Sequence, residues 1–344
     1  MKIINSAAWL IVITLSIIGL SIGESILVPF IIALLIWFIV KKVRDVLDKI
    51  PFIYRRIPRW IKTGGSSAMI FLVLIIIVDM LRYNVENIAN SYELYKQNIS
   101  MVGKELDKLL GVDLNVEIHR FFSSGEQDIS RYIRLLFNSL SETLGDLLLI
   151  SFYTIFLFIE EGLFTGKMHL LFKDGKQFEQ FNNVMFKIDR MLSRYIALKS
   201  ATSALTAFLS YIVFLSVGIE SPFFWAALIF FFNFIPSVGS IIATILPALF
   251  SLLQFGEVLP FAIIAVVVTG IQVLVGNYVE PRWMGNTLNI SPLVSILALA
   301  FWGAIWGVTG MLLSVPITVA LIIIMAQFPS TKSAAILFSE KGRV

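Results

Sequence analysis

Cysteine is absent from the sequence, which excludes a disulfide framework, a thiol nucleophile and a thiolate metal site. Histidine is nearly absent too. His119 and His169 both fall outside the apolar segments and lie far apart, so neither a metal centre nor any other cofactor is expected. Charge is scarce as well: 15% of residues are Asp, Glu, Lys or Arg, against 58% hydrophobic. Soluble domains are roughly half apolar and a quarter charged, so this composition belongs in lipid and argues against a soluble enzyme. The net charge of +4 gathers in particular loops, as the positive-inside rule expects of cytoplasmic ones. No nucleic-acid partner is expected.

Apolar runs dominate what is there. Ala7 to Leu20 and Ile26 to Val40 follow one another closely around Gly23-Glu24, which reads as an uncleaved first helix, a tight turn and a second span. From Lys41 to Lys62 the chain carries eight basic residues against Asp45 and Asp48. This asymmetry places the loop, and the N-terminus with it, in the cytoplasm. Ala68 to Leu81 is the third span. Beyond it Leu81, Val85, Ile88, Tyr92, Tyr95, Ile99, Val102, Leu106 and Leu109 alternate in steps of four and three. Such a seam predicts a long helix with one apolar face, packed either on a sibling subunit or on the stretch Ile129 to Leu140. Leu144 to Ile159 returns inward. Gly162 to Met168 resembles a phosphate-binding loop but is one residue short and ends in Met where Ser or Thr must hold magnesium. ATP drive is not expected. Phe178, Phe181, Met185, Ile188, Leu192 and Tyr195 form an apolar stripe opposite Lys187, Arg190, Arg194 and Lys199, a pattern that suits an interfacial helix. Ala201 to Val217 then crosses again.

The last third is different in kind. Ser221 to Phe232 and Ile241 to Leu253 are each too short, at 1.5 Å per residue, for a hydrocarbon core of about 30 Å. They are joined by Asn233-Phe234-Ile235-Pro236-Ser237-Val238-Gly239-Ser240, a polar and helix-breaking sequence. The pair reads as a hairpin dipping into the membrane or as one broken helix. A similar unit recurs: Ser291 to Ala304, then Gly303, Gly307 and Gly310, then Met311 to Met325. Each unit opens Ser-Pro, Gly239 and Gly310 fall 18 and 19 residues after that Ser, and Pro247 and Pro316 fall 26 and 25 after it. Between them Pro260 to Asn277 is a single span, so the two units are expected to enter from opposite sides. Paired interrupted segments of this kind point to a transporter site. Glu280-Pro281-Arg282-Trp283-Met284-Gly285 closes the intervening span on the cytoplasmic side. The fold class expected is an all-α polytopic integral membrane protein. It has about eight membrane segments, two of them interrupted or hairpin-like, plus an extramembrane helical insertion over 82–142. Its divisions are 1–67, 68–159, 160–200, a transport core over 201–328 and a cytoplasmic tail over 329–344.

Four motifs carry a family resemblance: Asn233 to Ser240, Glu280 to Gly285, Phe301 to Gly307 and Gly310 to Pro316. Together with Val28-Pro29-Phe30-Ile31 they resemble the autoinducer-2 exporter family of PerM-like permeases, most closely its quorum-signal exporter branch. The resemblance implies export of a small polar signalling molecule derived from dihydroxypentanedione, in the cell membrane, by a homo-oligomer expected to be a pentamer with an elevator-like moving domain. It equally admits sodium-or-lithium/proton antiport, which other members are described as performing. Ser237 stands where relatives often carry Asn.

The expected substrate site lies where the two interrupted units meet, on Asn233, Pro236, Ser237, Gly239, Ser240, Gln272 and Asn277. Amides and hydroxyls can replace water around a neutral polyol. Gln272 and Asn277 are five apart and point in different directions, so one of them at most faces the same ligand as Asn233. Glu280, Pro281, Arg282 and Gly285 are candidates for gating or coupling, with Glu280 either latching the span end or carrying a proton. Gly303, Gly307, Gly310 and Pro316 are candidate hinges. Against antiport, the apolar segments of the last third hold no Asp and no Lys, where ion-exchanging carriers keep a midplane carboxylate. A non-transporting membrane scaffold is the remaining alternative.

Overall fold

The structure, a computed structural model, describes residues 2–90, 95, 97–98, 101–102, 126–172, 175–285 and 289–342. Among the described residues the regular structure is helical throughout. In order these are α1 (Lys2–Ile22), α2 (Glu24–Leu47), α3 (Pro51–Arg56), α4 (Arg59–Asn90), α5 (Glu126–Leu171), α6 (Gly175–Val217), α7 (Pro222–Phe232), α8 (Val238–Phe255) and α9 (Val258–Leu274). A π-helical turn (Val275–Val279) runs into α10 (Glu280–Met284), followed by α11 (Pro292–Met325) and α12 (Lys332–Phe338). Seven helical stretches among the described residues are long and apolar enough to cross a bilayer, while Pro222–Phe232 is apolar but too short. The chain is an all-α, multi-span membrane protein.

It divides into two compact units. The first takes Met1–Leu74, Thr143–Ser193 and Asn289–Val344; the second takes Ile75–Glu142 and Arg194–Leu288. The division cuts across the stretch 201–328, leaving one interrupted segment in each unit. It also runs through α6, which carries the amphipathic stretch and the following span as one helix of 43 residues. No proline or internal glycine interrupts it. In the first unit Ala33, Ile36 and Val40 of α2 bury against Ile150 of α5, with Ile70, Phe71 and Leu74 of α4 alongside. In the second, Phe214 of α6, Trp225 and Ile229 of α7, Phe250 of α8 and Ile264 and Val268 of α9 form the core. Of the predicted seam beyond the third span, Tyr95 and Val102 are buried. Tyr95 packs edge-on against Phe250, ring centroids 5.7 Å apart, which is packing within one chain. The other seam side chains, and those of Ile129 to Leu140, lie outside the described residues. The Gly162–Met168 segment runs inside α5 as ordinary helix.

Both interrupted segments fold back on themselves. In the second unit the rings of Trp225 and Phe250 pack at a tilt with centroids 5.0 Å apart. Twenty-five residues of straight helix would separate them by about 37 Å. In the first unit the indole N–H of Trp302 donates to Thr318 Oγ1 at 3.2 Å, again impossible along a straight helix. There α11 breaks at Trp306 (φ −128°, ψ 23°) and Gly307 (φ 56°, ψ −139°), the latter a conformation that glycine alone enters cheaply. The two turns close in the same way. A Cβ on Gly239 would sit 1.8 Å from the carbonyl oxygen of Phe232, and one on Gly310 would sit 1.9 Å from that of Trp302. In each case the glycine lets the returning arm pass against the carbonyl end of the outgoing one. Proline stands at the first turn of both outgoing arms and inside both returning arms, at Pro247 and Pro316. The sequence repeat therefore has a common geometry.

Substitution tests this directly. Gly239→Ala and Gly310→Ala are each expected to destabilise by about 1–3 kcal/mol or more, since the new methyl meets backbone and has nowhere to go. Gly270→Ala, whose Cβ would meet nothing within 4 Å, is expected to leave the detergent-solubilised unfolding temperature unchanged within about 0.5 kcal/mol.

Candidate functional site

In the second unit the end of α6 is tied to the end of α8, and Lys199 of α6 is tied to α10, the continuation of α9. At one end the Gln254 side chain accepts from the Glu220 backbone N–H at 2.7 Å and donates to the Gly218 carbonyl at 3.0 Å. Asn98 reinforces it by donating to the carbonyls of Leu253 and Gln254, both at 2.8 Å. Tyr95 donates its hydroxyl to Glu220 at 3.2 Å. These bonds satisfy carbonyls that the end of α8 leaves without helical partners. At the other end Lys199 Nζ of α6 meets Glu280 Oε1 of α10 at 2.6 Å, with the two side chains 12% and 24% exposed.

The depth of the hairpin follows from helix rise. From Lys199 to Val217 α6 covers about 27 Å, and from Gly239 to Gln254 α8 covers about 22 Å. Gln254 is held beside Gly218, so a course of α8 back along α6 would bring the turn at Asn233 to Ser240 to within about one helical turn of the level of the Lys199–Glu280 pair.

At that turn the backbone is strained. Ser237 takes φ 58°, ψ −54°, and the Val238 N–H donates to the Pro236 carbonyl at 2.6 Å. This is a γ-turn of the rare, positive-φ kind. Non-glycine residues at positive φ are uncommon, so Ser237 holds this turn under backbone strain. Ser240 Oγ donates back to the Ser237 carbonyl at 2.8 Å, and Thr244 to that of Ser240 at 2.9 Å. Those hydroxyls are therefore engaged within the turn as donors. Ser237 is exposed, Gly239 buried and Pro236 between the two.

Two predicted side chains stand out by what they lack. Asn233 Oδ1 and Gln272 Nε2 are buried with no hydrogen-bond partner. One is an acceptor and the other a donor. Ser203 Oγ and Ser210 Oγ on α6 are in the same condition. Measured along the helices from the Lys199–Glu280 pair, Ser203, Gln272 and Ser210 lie about 6, 11 and 16 Å away. A buried polar group left unpaired costs about 1–3 kcal/mol, so this band of unit 2 is where a hydrogen-bonding guest is most strongly favoured. Asn277 sits on the π-helical turn and is exposed. Of the two side chains Gln272 is half-buried with its Nε2 enclosed, and Asn277 is exposed.

Glu280 pairs with Lys199, 81 residues away, and not with its neighbour Arg282, which is exposed. Pro281 takes the first turn of α10, and its carbonyl accepts from the Gly285 N–H at 2.9 Å. Gly285 ends the helix at φ 51°. In the first unit Gly303 faces the Met311 side chain, Gly307 supplies the break, Gly310 the close approach, and Pro316 lies in the returning arm. Trp306 of that turn donates to the Leu20 carbonyl at 3.1 Å. Sequence reading missed Lys199, Ser203 and Ser210. The available signal was a lone cation at the edge of an apolar run, followed by Ser203, Thr206 and Ser210 at helical spacing.

The sequence was also compared with known proteins. Residues 10–330 match a family described as AI-2E family transporter. A protein of Haemophilus influenzae named "Putative transport protein" is 29% identical over 94% of this chain and 92% of its own length. One of the same name from Borreliella burgdorferi is 29% identical over 97% and 90%. The AI-2 transport protein TqsA of Escherichia coli K12 is 27% identical over 94% and 92%.

The Lys199–Glu280 pair gives a test of the tie. Lys199→Met alone is expected to destabilise by about 1–3 kcal/mol, below the 3–5 typical of fully buried pairs because both side chains retain some exposure. Adding Glu280→Gln is expected to recover most of that loss in detergent unfolding, since the stranded carboxylate is removed with its partner.

Proposed function

The chain belongs to the AI-2E transporter family, and from that footing we propose that it exports a small polar signalling molecule of the autoinducer-2 type across the cell membrane. The observation that carries the reading is the pair of unpaired buried amide atoms, Asn233 Oδ1 and Gln272 Nε2. A neutral polyol both donates and accepts, so it satisfies the two together, whereas a bare cation satisfies the acceptor only. The name of the TqsA relative supports the cargo class. Asn233, Pro236, Ser237, Gly239, Ser240 and Gln272 form the substrate-handling turn in this reading, and the Lys199–Glu280 pair is the gate beyond it. Movement is secondary or facilitated and elevator-like. The protein works as a homo-oligomer, a pentamer in this proposal, with both termini in the cytoplasm, as the basic loop after α2 argues.

Sodium-or-lithium/proton antiport is the second reading, and one feature favours it: Glu280 is a carboxylate on the continuation of a membrane span. Its engagement with Lys199 makes it a structural ion first. A scaffold without transport activity would leave the unpaired amides without a purpose.

Purified protein in liposomes separates these readings. Labelled signal molecule is expected to be taken up, with Asn233→Ala and Gln272→Ala each lowering the rate about tenfold, the equivalent of one lost hydrogen bond. Sodium-driven pH change that disappears in Glu280→Gln, with no uptake of the signal, would replace this proposal with antiport.

A further inference from the structure

The eight basic residues between Lys41 and Lys62 do not share one fate. Lys41 and Lys42 reach Asp189 at 3.9 and 2.6 Å, Arg44 and Arg59 reach Glu161 at 2.6 and 3.0 Å, and Lys62 pairs with Asp48. Those five are held by acids of their own compact unit. Lys49, Arg55 and Arg56 are exposed, with no acidic partner among the described residues. They sit on and beside α3, where Phe52, Tyr54 and Trp60 are 62%, 65% and 75% exposed. The Arg56 guanidinium lies 5.0 Å over the Phe52 ring.

Orientation by charge explains an excess of cations, but not three bare aromatic side chains among the cations left unneutralised. Chain connectivity says what meets them. Three residues (48–50) join α3 to α2, and two (57–58) join it to α4; both flanking helices carry candidate spans. At a maximum of 3.6 Å per residue, α3 begins within about 14 Å of one span-bearing helix end and stops within about 11 Å of the other. Aromatic and basic residues at that level match the amphipathic layer of a bilayer, and cationic segments beside a span are drawn to anionic lipid.

We infer that α3 and its flanks form a binding surface for anionic phospholipid. Lys49, Arg55 and Arg56 meet the headgroup phosphates, and Phe52, Tyr54 and Trp60 enter the acyl boundary. The surface is separate from the α7–α8 turn and owes nothing to the transport reading. It lies on the first compact unit, so it fixes the depth of that unit's helix ends in the membrane.

The absence of native cysteine makes the test direct. Ile50→Cys, at a half-exposed position, is labelled with a small fluorophore in the full chain. The protein is then placed in nanodiscs containing equal amounts of spin-labelled phosphatidylglycerol or spin-labelled phosphatidylcholine. The expected result is about twofold stronger quenching by phosphatidylglycerol. That preference disappears in molar salt, where the screening length falls to about 3 Å, and in Lys49→Gln/Arg55→Gln/Arg56→Gln with its unfolding temperature unchanged. Equal quenching by the two lipids overturns the proposal, because contact would then be indifferent to charge. Absence of quenching by either also overturns it. If labelled copies then quench one another, the face is an interface between subunits.

Discussion

A peptide group that leaves helical pairing inside a hydrocarbon layer has no water to turn to, and this constraint governs both interrupted segments. An outgoing arm of eleven residues covers about 16 Å and ends with carbonyls exposed to whatever lies beside it. Folding back is the way to keep those carbonyls on protein. The return is possible because one residue on each returning arm has no side chain: Gly239 lies against Phe232, and Gly310 against Trp302. Proline at the head of each outgoing arm costs nothing there, where its missing N–H would have been unpaired anyway. Two turns of different sequence thus meet one steric demand with the same device.

Charge obeys a related rule. Arg44, 3% exposed, is matched by Glu161 and Thr63, and Lys199 is matched by Glu280. A buried ion without its partner is far more costly than a buried amide without one. Among the described residues, the buried atoms left unpaired in the second unit are accordingly neutral ones: two serine hydroxyls and one atom of each of two carboxamides. In the proposed reading, neutral donors and acceptors suit a neutral, oxygen-rich cargo, and the ion pair serves as a boundary without binding that cargo itself.

Much of this was legible in the chain. Hydropathy alone separated lipid-facing runs from loops, because the transfer cost of charge is large enough to appear residue by residue. The breaks at Asn233 to Ser240 and around Gly307 were legible because proline and glycine act locally, through a fixed φ and a missing Cβ. The continuity of α6 from its amphipathic stretch into the following span was not, since nothing local in the sequence says whether one helix ends there or carries on. Ser203 and Ser210 were equally hidden. A serine in a span bonds its own helix or faces a cavity, and spacing cannot distinguish the two.

The sequence by itself determined the membrane class, the places where helices break, and the cations and amides available, since each depends on a residue and its immediate neighbours. Tertiary structure decided which of those groups are spent and which are left over. Glu280 is claimed by a lysine 81 residues away, while Asn233 Oδ1 and Gln272 Nε2 are buried without partners. Pairing is a matter of position in space, and here that position is set by how the chain folds back at its breaks and is tied at its helix ends.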